Sequence, residues 1–191
     1  MNLQREGKDI MIVFWVISVF VLRLYFLKIS LRNEQRILAN GGSEYGVQNT
    51  KLLTVVHIVF YLSCLSEAVL KQASFDGLSV LGLAVLFFSM MMLCWVTRIL
   101  GDIWTVKLML VKNHRFIDHW LFRTVKHPNY FLNIIPELIG LSLLCHAKFS
   151  FIILFPIYMV VLYGRIHEEN ILLKEVIIPN GKVESAGEML E

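Results

Sequence analysis

Apolar residues in this chain fall in long blocks, with neither the stripes of a surface helix nor the alternation of a half-buried strand. Five blocks approach the roughly 20 residues that a helix needs to cross a hydrocarbon core about 30 Å thick. They cover residues 10–27, 52–70, 78–95, 130–145 and 149–163. The pattern predicts an all-α polytopic membrane protein with five transmembrane helices, forming a single domain over residues 1–191. The last two blocks are short, so their helices must continue into polar, protein-lined regions or stand with little tilt.

Two polar connections separate the blocks. Residues 32–51 contain ANGGSEYG, a glycine-rich turn expected to be a mobile loop. Residues 97–126 are basic and aromatic and alternate apolar with polar positions, which predicts an interfacial segment of short strands or amphipathic helix. A connection of that length is usually functional or disordered, and its many apolar side chains argue against disorder.

Composition sharpens this picture. Of 191 residues 57% are apolar and 17% charged, with mean hydropathy +0.64, against about half and about a quarter in soluble domains. The first block does not end in a small-residue cleavage site; Phe26 and Leu27 run into Lys28, Arg32 and Arg36, the flank of a retained span. With the amino terminus outside, thirteen Lys and Arg fall in inner segments and four (Arg5, Lys8, Lys71, Lys148) in outer ones, while Arg23 lies within the first span. That bias places the carboxyl terminus in the cytoplasm. The net charge of +3 gives no reason to expect nucleic acid. Cys64, Cys94 and Cys145 lie in or at the ends of apolar blocks and are expected to be small buried hydrophobes. Tyr61, Trp95 and Trp104 are expected as interfacial anchors, and Glu67 as a packing or near-interface residue.

Charges and polar motifs beside spans are costly and ask for a reason. KHPNYF, Lys126–Phe131, stands where the long connection enters the fourth span. Pro128 suits the first turn of a helix, whose unpaired N–H groups favour a carboxylate. GRIHEEN, Gly164–Asn170, ends the fifth span and puts Arg165, Glu168 and Glu169 on one face at i, i+3 and i+4. Taken singly, the first motif reads as a capped helix start and the second as a solvated flank. His114, His119 and His127 with Glu168 match no compact metal pattern, so no metal is expected.

Together, and with the upstream segment His114–Ile117 and Phe122, these motifs resemble the cofactor pattern of the isoprenylcysteine carboxyl methyltransferase family over the carboxyl-terminal 80 or so residues. That family typically carries H-x-L-V, an aromatic residue, then R-H-P-x-Y, and later R-x-x-E-E. The resemblance implies S-adenosylmethionine as cofactor, bound by His114, Arg115, Phe116, Ile117, Phe122, His127, Pro128, Asn129, Tyr130 and Glu169. It implies a cytoplasmic site formed by the connection before the fourth helix and by the ends of the fourth and fifth. Arg165 would face the acceptor as the catalytic residue. This chain departs from the pattern with Lys126 for the usual Arg, Phe122 for Tyr and Trp120 where Gly is common.

The stretches RNEQRILANGGSEYG, LGDIWTVKL and KHPNYFLNIIPELIG resemble a bacterial subgroup, the alkylpyrone O-methyltransferases paired with type III polyketide synthases. That likeness implies a bacterial cell membrane and, as acceptor, a long-chain 4-hydroxy-2-pyrone or alkylresorcinol among membrane lipids. The alternatives are a prenylated cysteine carboxylate, a phospholipid amine, or a non-catalytic membrane protein that binds a lipid or a partner helix. Glu137, an intramembrane carboxylate near Pro136, is expected to bond the acceptor ring or to stabilise a bend at that proline.

Overall fold

In the computed structural model, residues 3–110, 115–174 and 182–185 are described. The chain is mostly helical. Four helices are long and apolar enough to cross a membrane: α1 (Leu3–Ala39, apolar from Ile10), α2 (Val47–Leu70), α3 (Gly77–Leu100) and, after two shorter ones, α6 (Lys148–Leu172). The fourth expected block forms a shorter apolar helix, Asn129–Leu144, about 24 Å long at 1.5 Å per residue. It opens as a π-helical stretch, Asn129–Ile134, and continues as α5, Ile135–Leu144. Helix α4 is a single turn and a half, Trp120–Thr124.

The π turn has a local cause. Pro136 has no N–H to donate and its ring would strike the carbonyl four residues back. The Ile135 N–H bonds the Tyr130 carbonyl, five residues back, so the helix is already widened when it reaches the proline. The bend expected at Pro136 is therefore taken up as one loosened turn ahead of it, a feature common at functional sites.

Glycine allows a close crossing of α3 and α5. A Cβ on Gly82 of α3 would stand 2.3 Å from the Leu144 nitrogen, and one on Gly140 of α5 would stand 2.9 Å from the Gly82 oxygen. Small residues at a helix crossing let backbones approach where apolar burial cannot drive association. At the end of the bundle away from the polar motifs, Glu67 of α2 accepts hydrogen bonds from Phe149 N (3.1 Å), Ser150 N (2.8 Å) and Ser150 Oγ (2.7 Å). It thus caps α6, whose own N-cap residue, Ala147, supplies no side-chain bond. Asp76 caps α3 in the usual way, accepting from Leu78 N and Ser79 N.

At the other end the two polar connections fold onto each other. The glycine-rich turn, expected to be mobile, holds β1 (Ser43–Tyr45), which pairs antiparallel with β2 (Leu108–Leu110). The long connection does contain the expected short strands: β2, and β3 (Arg115–Asp118), which pairs in parallel with β4 (Lys182–Ser185). Helix α1 runs well past its apolar block to Ala39 and tethers the connection. Asn33 Nδ2 donates to the Gly101 and Trp104 carbonyls (3.0 and 2.8 Å), and Val106 N donates to Ser30 Oγ (2.8 Å).

Two expected interfacial anchors are interior residues. Tyr61 is 7% exposed and donates to Glu137, and Trp104 is 3% exposed and packs edge-on against Phe26. Amphipathic aromatic rings serve both roles, and their polar atoms find partners when buried.

Candidate functional site

The carboxyl end of α6 and the start of the π turn meet below the β1–β2 ladder. One turn apart on α6, Arg165 and Glu169 face the KHPNY segment, and with Asn170 they reach it through four hydrogen bonds. His127 Nδ1 lies 3.0 Å from Glu169 Oε1, and His127 Nε2 lies 3.1 Å from Asn170 Oδ1. Tyr130 Oη donates to Glu169 Oε2 at 2.6 Å, and Arg165 Nε donates to Tyr130 Oη at 3.3 Å. Arg165 is 2% exposed. Its terminal nitrogens donate to Thr50 Oγ1 of α2 (2.6 Å) and to the Val106 carbonyl (3.3 Å), so one guanidinium ties together four segments of chain.

A guanidinium has five N–H donors and an ionised carboxylate about four acceptor positions. The bonds above engage three of the first and two of the second, so both groups keep capacity for a ligand. Burial works against the charged form of the His127 imidazole, but the hydrogen bond and negative charge of Glu169 outweigh it and hold His127 above its ordinary pKa.

These side chains line a cavity of about 420 Å³, within the range of small-molecule sites. Phe122, His127, Pro128, Asn129, Tyr130, Arg165 and Glu169 all lie on it, so seven expected site residues, from motifs some 35 positions apart, are brought together. Trp104 and Leu108 of the long connection add apolar wall, and Lys107 adds charge. Lys107 is bonded by Glu34 of α1 and by Glu44 of β1 (3.0 Å), and the bond from Glu34 is the main cause of its raised pKa.

His114 lies outside the described residues. Arg115, Phe116 and Ile117 lie on β3, opposite Lys182, Val183 and Glu184. Glu137 does not line the cavity. It is fully buried deeper in the bundle, paired with Arg23 of α1 and bonded by Tyr61 of α2.

Sequence reasoning missed Trp104, Val106 and Asn170 on the cavity wall, and Thr50, which accepts from Arg165. Asn170 stands inside the GRIHEEN motif and follows Glu169, a signal that was there to use. Thr50 and the Val106 carbonyl carry no local signal, because only the packing of α2 and of the long connection brings them to Arg165.

The comparisons with known proteins bear on the same residues. An uncharacterized protein of Haemophilus influenzae is 44% identical over 152 residues, covering 80% of this chain and 88% of that protein. The uncharacterized protein YpbQ of Bacillus subtilis is 29% identical over 168 residues, covering 85% and 98%. No solved structure matches the chain. The isoprenylcysteine carboxyl methyltransferase family model matches residues 80–175, just over half of the chain and a range that holds both motifs and most of the cavity wall. The chain belongs to the isoprenylcysteine carboxyl methyltransferase family, a family of membrane methyltransferases.

Proposed function

We propose that the protein is an S-adenosylmethionine-dependent O-methyltransferase acting on the acidic hydroxyl of a lipidic acceptor, such as a long-chain 4-hydroxy-2-pyrone or alkylresorcinol. The observation that carries the reading is the cavity itself, where Glu169, His127, Tyr130 and Arg165 form one bonded set at the end of an apolar bundle. The residues fit such a cofactor chemically. Glu169 offers a carboxylate to a cationic ligand, and Trp104 and Phe122 offer aromatic wall to an adenine. When bound, the cofactor supplies an electrophilic methyl group.

The protein's own part is to bind, to orient and to exclude water. His127 and Tyr130 fix both oxygens of Glu169 and so set the direction of its negative charge. Arg165, already aligned by Tyr130, Thr50 and the Val106 carbonyl, directs its remaining N–H groups at the anionic oxygen of the acceptor. An acidic enol or a carboxylate is anionic near neutral pH, so neither needs a strong base; what matters is its alignment with the methyl group about 3 Å away.

The reading has further parts. The apolar segments alternate between the two ends of the bundle, so Asn129–Leu144 completes a fifth crossing alongside the four long helices, bounded by the α5–α6 turn. The Lys and Arg bias puts the site end in the cytoplasm and the amino terminus outside. An acceptor with a long alkyl tail reaches the site from the membrane, which suits a product of a type III polyketide synthase in a bacterial cell membrane.

The test uses detergent-solubilised protein. Titration with S-adenosylmethionine comes first, followed by methyl transfer to an alkylpyrone, an alkylresorcinol, a prenylcysteine and a phospholipid. Absence of cofactor binding would overturn the methyltransferase reading, and transfer to the prenylcysteine or phospholipid alone would overturn the acceptor.

A further inference from the structure

Beneath the cavity floor runs a chain of polar side chains drawn from α1, α3 and the π-helical segment. Arg23 lies within the first apolar block, where a charge is expensive and asks for a purpose. It is paired with Glu137, Nε standing 2.6 Å from Oε1. Its second arm, NH2, donates to Asn133 Oδ1 at 3.2 Å. Asn133 is fully buried, and Ser89 Oγ of α3 shares its one proton between the Asn133 main-chain carbonyl (2.9 Å) and Oδ1 (3.0 Å). Asn133 Nδ2 donates to Asn129 Oδ1 at 3.0 Å, and Asn129 lines the cavity.

The direction of this chain is fixed by chemistry. A guanidinium can only donate, so the Asn133 atom facing Arg23 must be the oxygen. The Asn133 nitrogen must then face Asn129, and because it donates, the Asn129 atom it meets must also be the oxygen. Asn129 lines the cavity, and its Nδ2 is left without a protein partner among the described residues. Asparagine by itself turns either way at little cost, presenting a donor or an acceptor. Here an arginine two residues removed holds one of the two faces in place.

We infer that Arg23 and Asn133 are positioning residues that set Asn129 as a hydrogen-bond donor to an anionic oxygen bound in the cavity. This rests on the methyltransferase reading for what the oxygen is: the carboxylate of S-adenosylmethionine or the ionised hydroxyl of the acceptor. It also gives the costly intramembrane Arg23–Glu137 pair a task. Glu137 holds Arg23 in place, and Arg23 orients the amides.

The decisive substitution is Asn133→Asp, which still accepts from Arg23 and Ser89 but cannot donate to Asn129. Asn129 then turns its nitrogen inward and its oxygen to the cavity. Binding of the anionic ligand is expected to weaken about ten- to a hundred-fold, the scale of a bond to a charged group. S-adenosylmethionine affinity and the acceptor KM at saturating cofactor are measured separately, and the one that moves identifies the oxygen. In an Asn129→Ala background the same substitution should add no further loss, because its effect passes through Asn129. An additive loss there would overturn the proposal, as would unchanged affinity and KM in Asn133→Asp. Should Asn133→Asp not fold, Arg23→Lys with Ser89→Ala keeps the charge pair, removes the Ser89 hydroxyl and the second guanidinium arm that reaches Asn133, and should raise the same constant.

A second measurement does not depend on activity. With asparagine side chains labelled with nitrogen-15, the Asn133 amide protons should resist exchange with solvent while those of Asn129 exchange. The opposite pattern would overturn the orientation whether or not the protein binds S-adenosylmethionine, and the expected pattern without cofactor binding would leave the failure with the methyltransferase reading alone.

Discussion

His127 and Glu169 stand 42 positions apart in the chain, yet Nδ1 of one lies 3.0 Å from Oε1 of the other, and both line the cavity. The imidazole is 4% exposed, so the pair works in a setting where water competes weakly. In the proposed function Glu169 offers its charge to a cationic ligand, while His127 holds it in line. Either His127→Ala or Glu169→Ala should weaken S-adenosylmethionine binding by about ten- to a hundred-fold without preventing insertion of the apolar helices. Isothermal titration of the two variants in detergent checks this, and wild-type affinity in both would remove them from the site.

The same pair sets a pH dependence. Because Glu169 raises the His127 pKa above 6.5, the folded state binds the proton more tightly than the unfolded chain does. The stabilisation is therefore fully present below pH 6.5 and is lost as pH rises through the higher folded value. Thermal unfolding midpoints should fall on the alkaline side, and His127→Gln should flatten that part of the profile. A wild-type midpoint independent of pH from about 6 to about 9 would contradict the assigned pairing.

Much of this was legible in the sequence, and the reasons are physical. Long apolar blocks leave one way to satisfy the backbone in lipid, so the helices could be read off directly. The two motifs were legible because each packs its chemistry into a few consecutive residues. Arg23 was visible as a charge inside an apolar block, but its partner lies 114 positions away and no local pattern names it. The strand pairing of the glycine-rich turn was not legible, because its partner, β2, sits more than 60 positions downstream. Gly82 and Gly140 gave no signal either, since each looks like an isolated helix-weakening residue until the two helices cross.

That crossing carries a stability prediction. Gly82→Ala places a methyl group 2.3 Å from a backbone nitrogen of α5, and backbone cannot step aside as a flexible side chain can. The two helices must separate, at a cost of about 1–3 kcal/mol for overpacking. Gly77→Ala, with nothing within 4 Å of the added carbon, is the control and should be near neutral. Unfolding of both variants in the same detergent distinguishes a tight crossing from general intolerance of substitution in α3.

Orientation is tested from the two ends of the bundle. Asn40, exposed beside the site, and Gln72, exposed in the α2–α3 turn, stand at opposite ends. In intact cells a membrane-impermeant thiol reagent should label Gln72→Cys and spare Asn40→Cys until the cells are opened. The reverse pattern would put the cavity outside, away from the compartment that makes the cofactor.

Arg165 decides the mechanism. Its guanidinium donates from three different nitrogens, to Tyr130, Thr50 and the Val106 carbonyl, an arrangement that an ammonium group cannot reproduce. Arg165→Lys keeps the charge but loses the planar fork that, in the proposed function, aligns the acceptor. Turnover at saturating cofactor should drop about 10–100-fold, since small misplacements of reacting atoms cost about two orders of magnitude. Arg165→Ala should be slower still, and S-adenosylmethionine affinity should change little in either. Thr50→Val separates alignment from charge, because it removes one of the three acceptors and leaves the cation whole; it should show a smaller drop in the same direction. A snorkelling flank would instead tolerate lysine with near-normal turnover, although an arginine 2% exposed is poorly placed to be one. Loss of cofactor affinity in Arg165→Lys would move the residue from the acceptor to the cofactor, and normal turnover would take it out of the reaction.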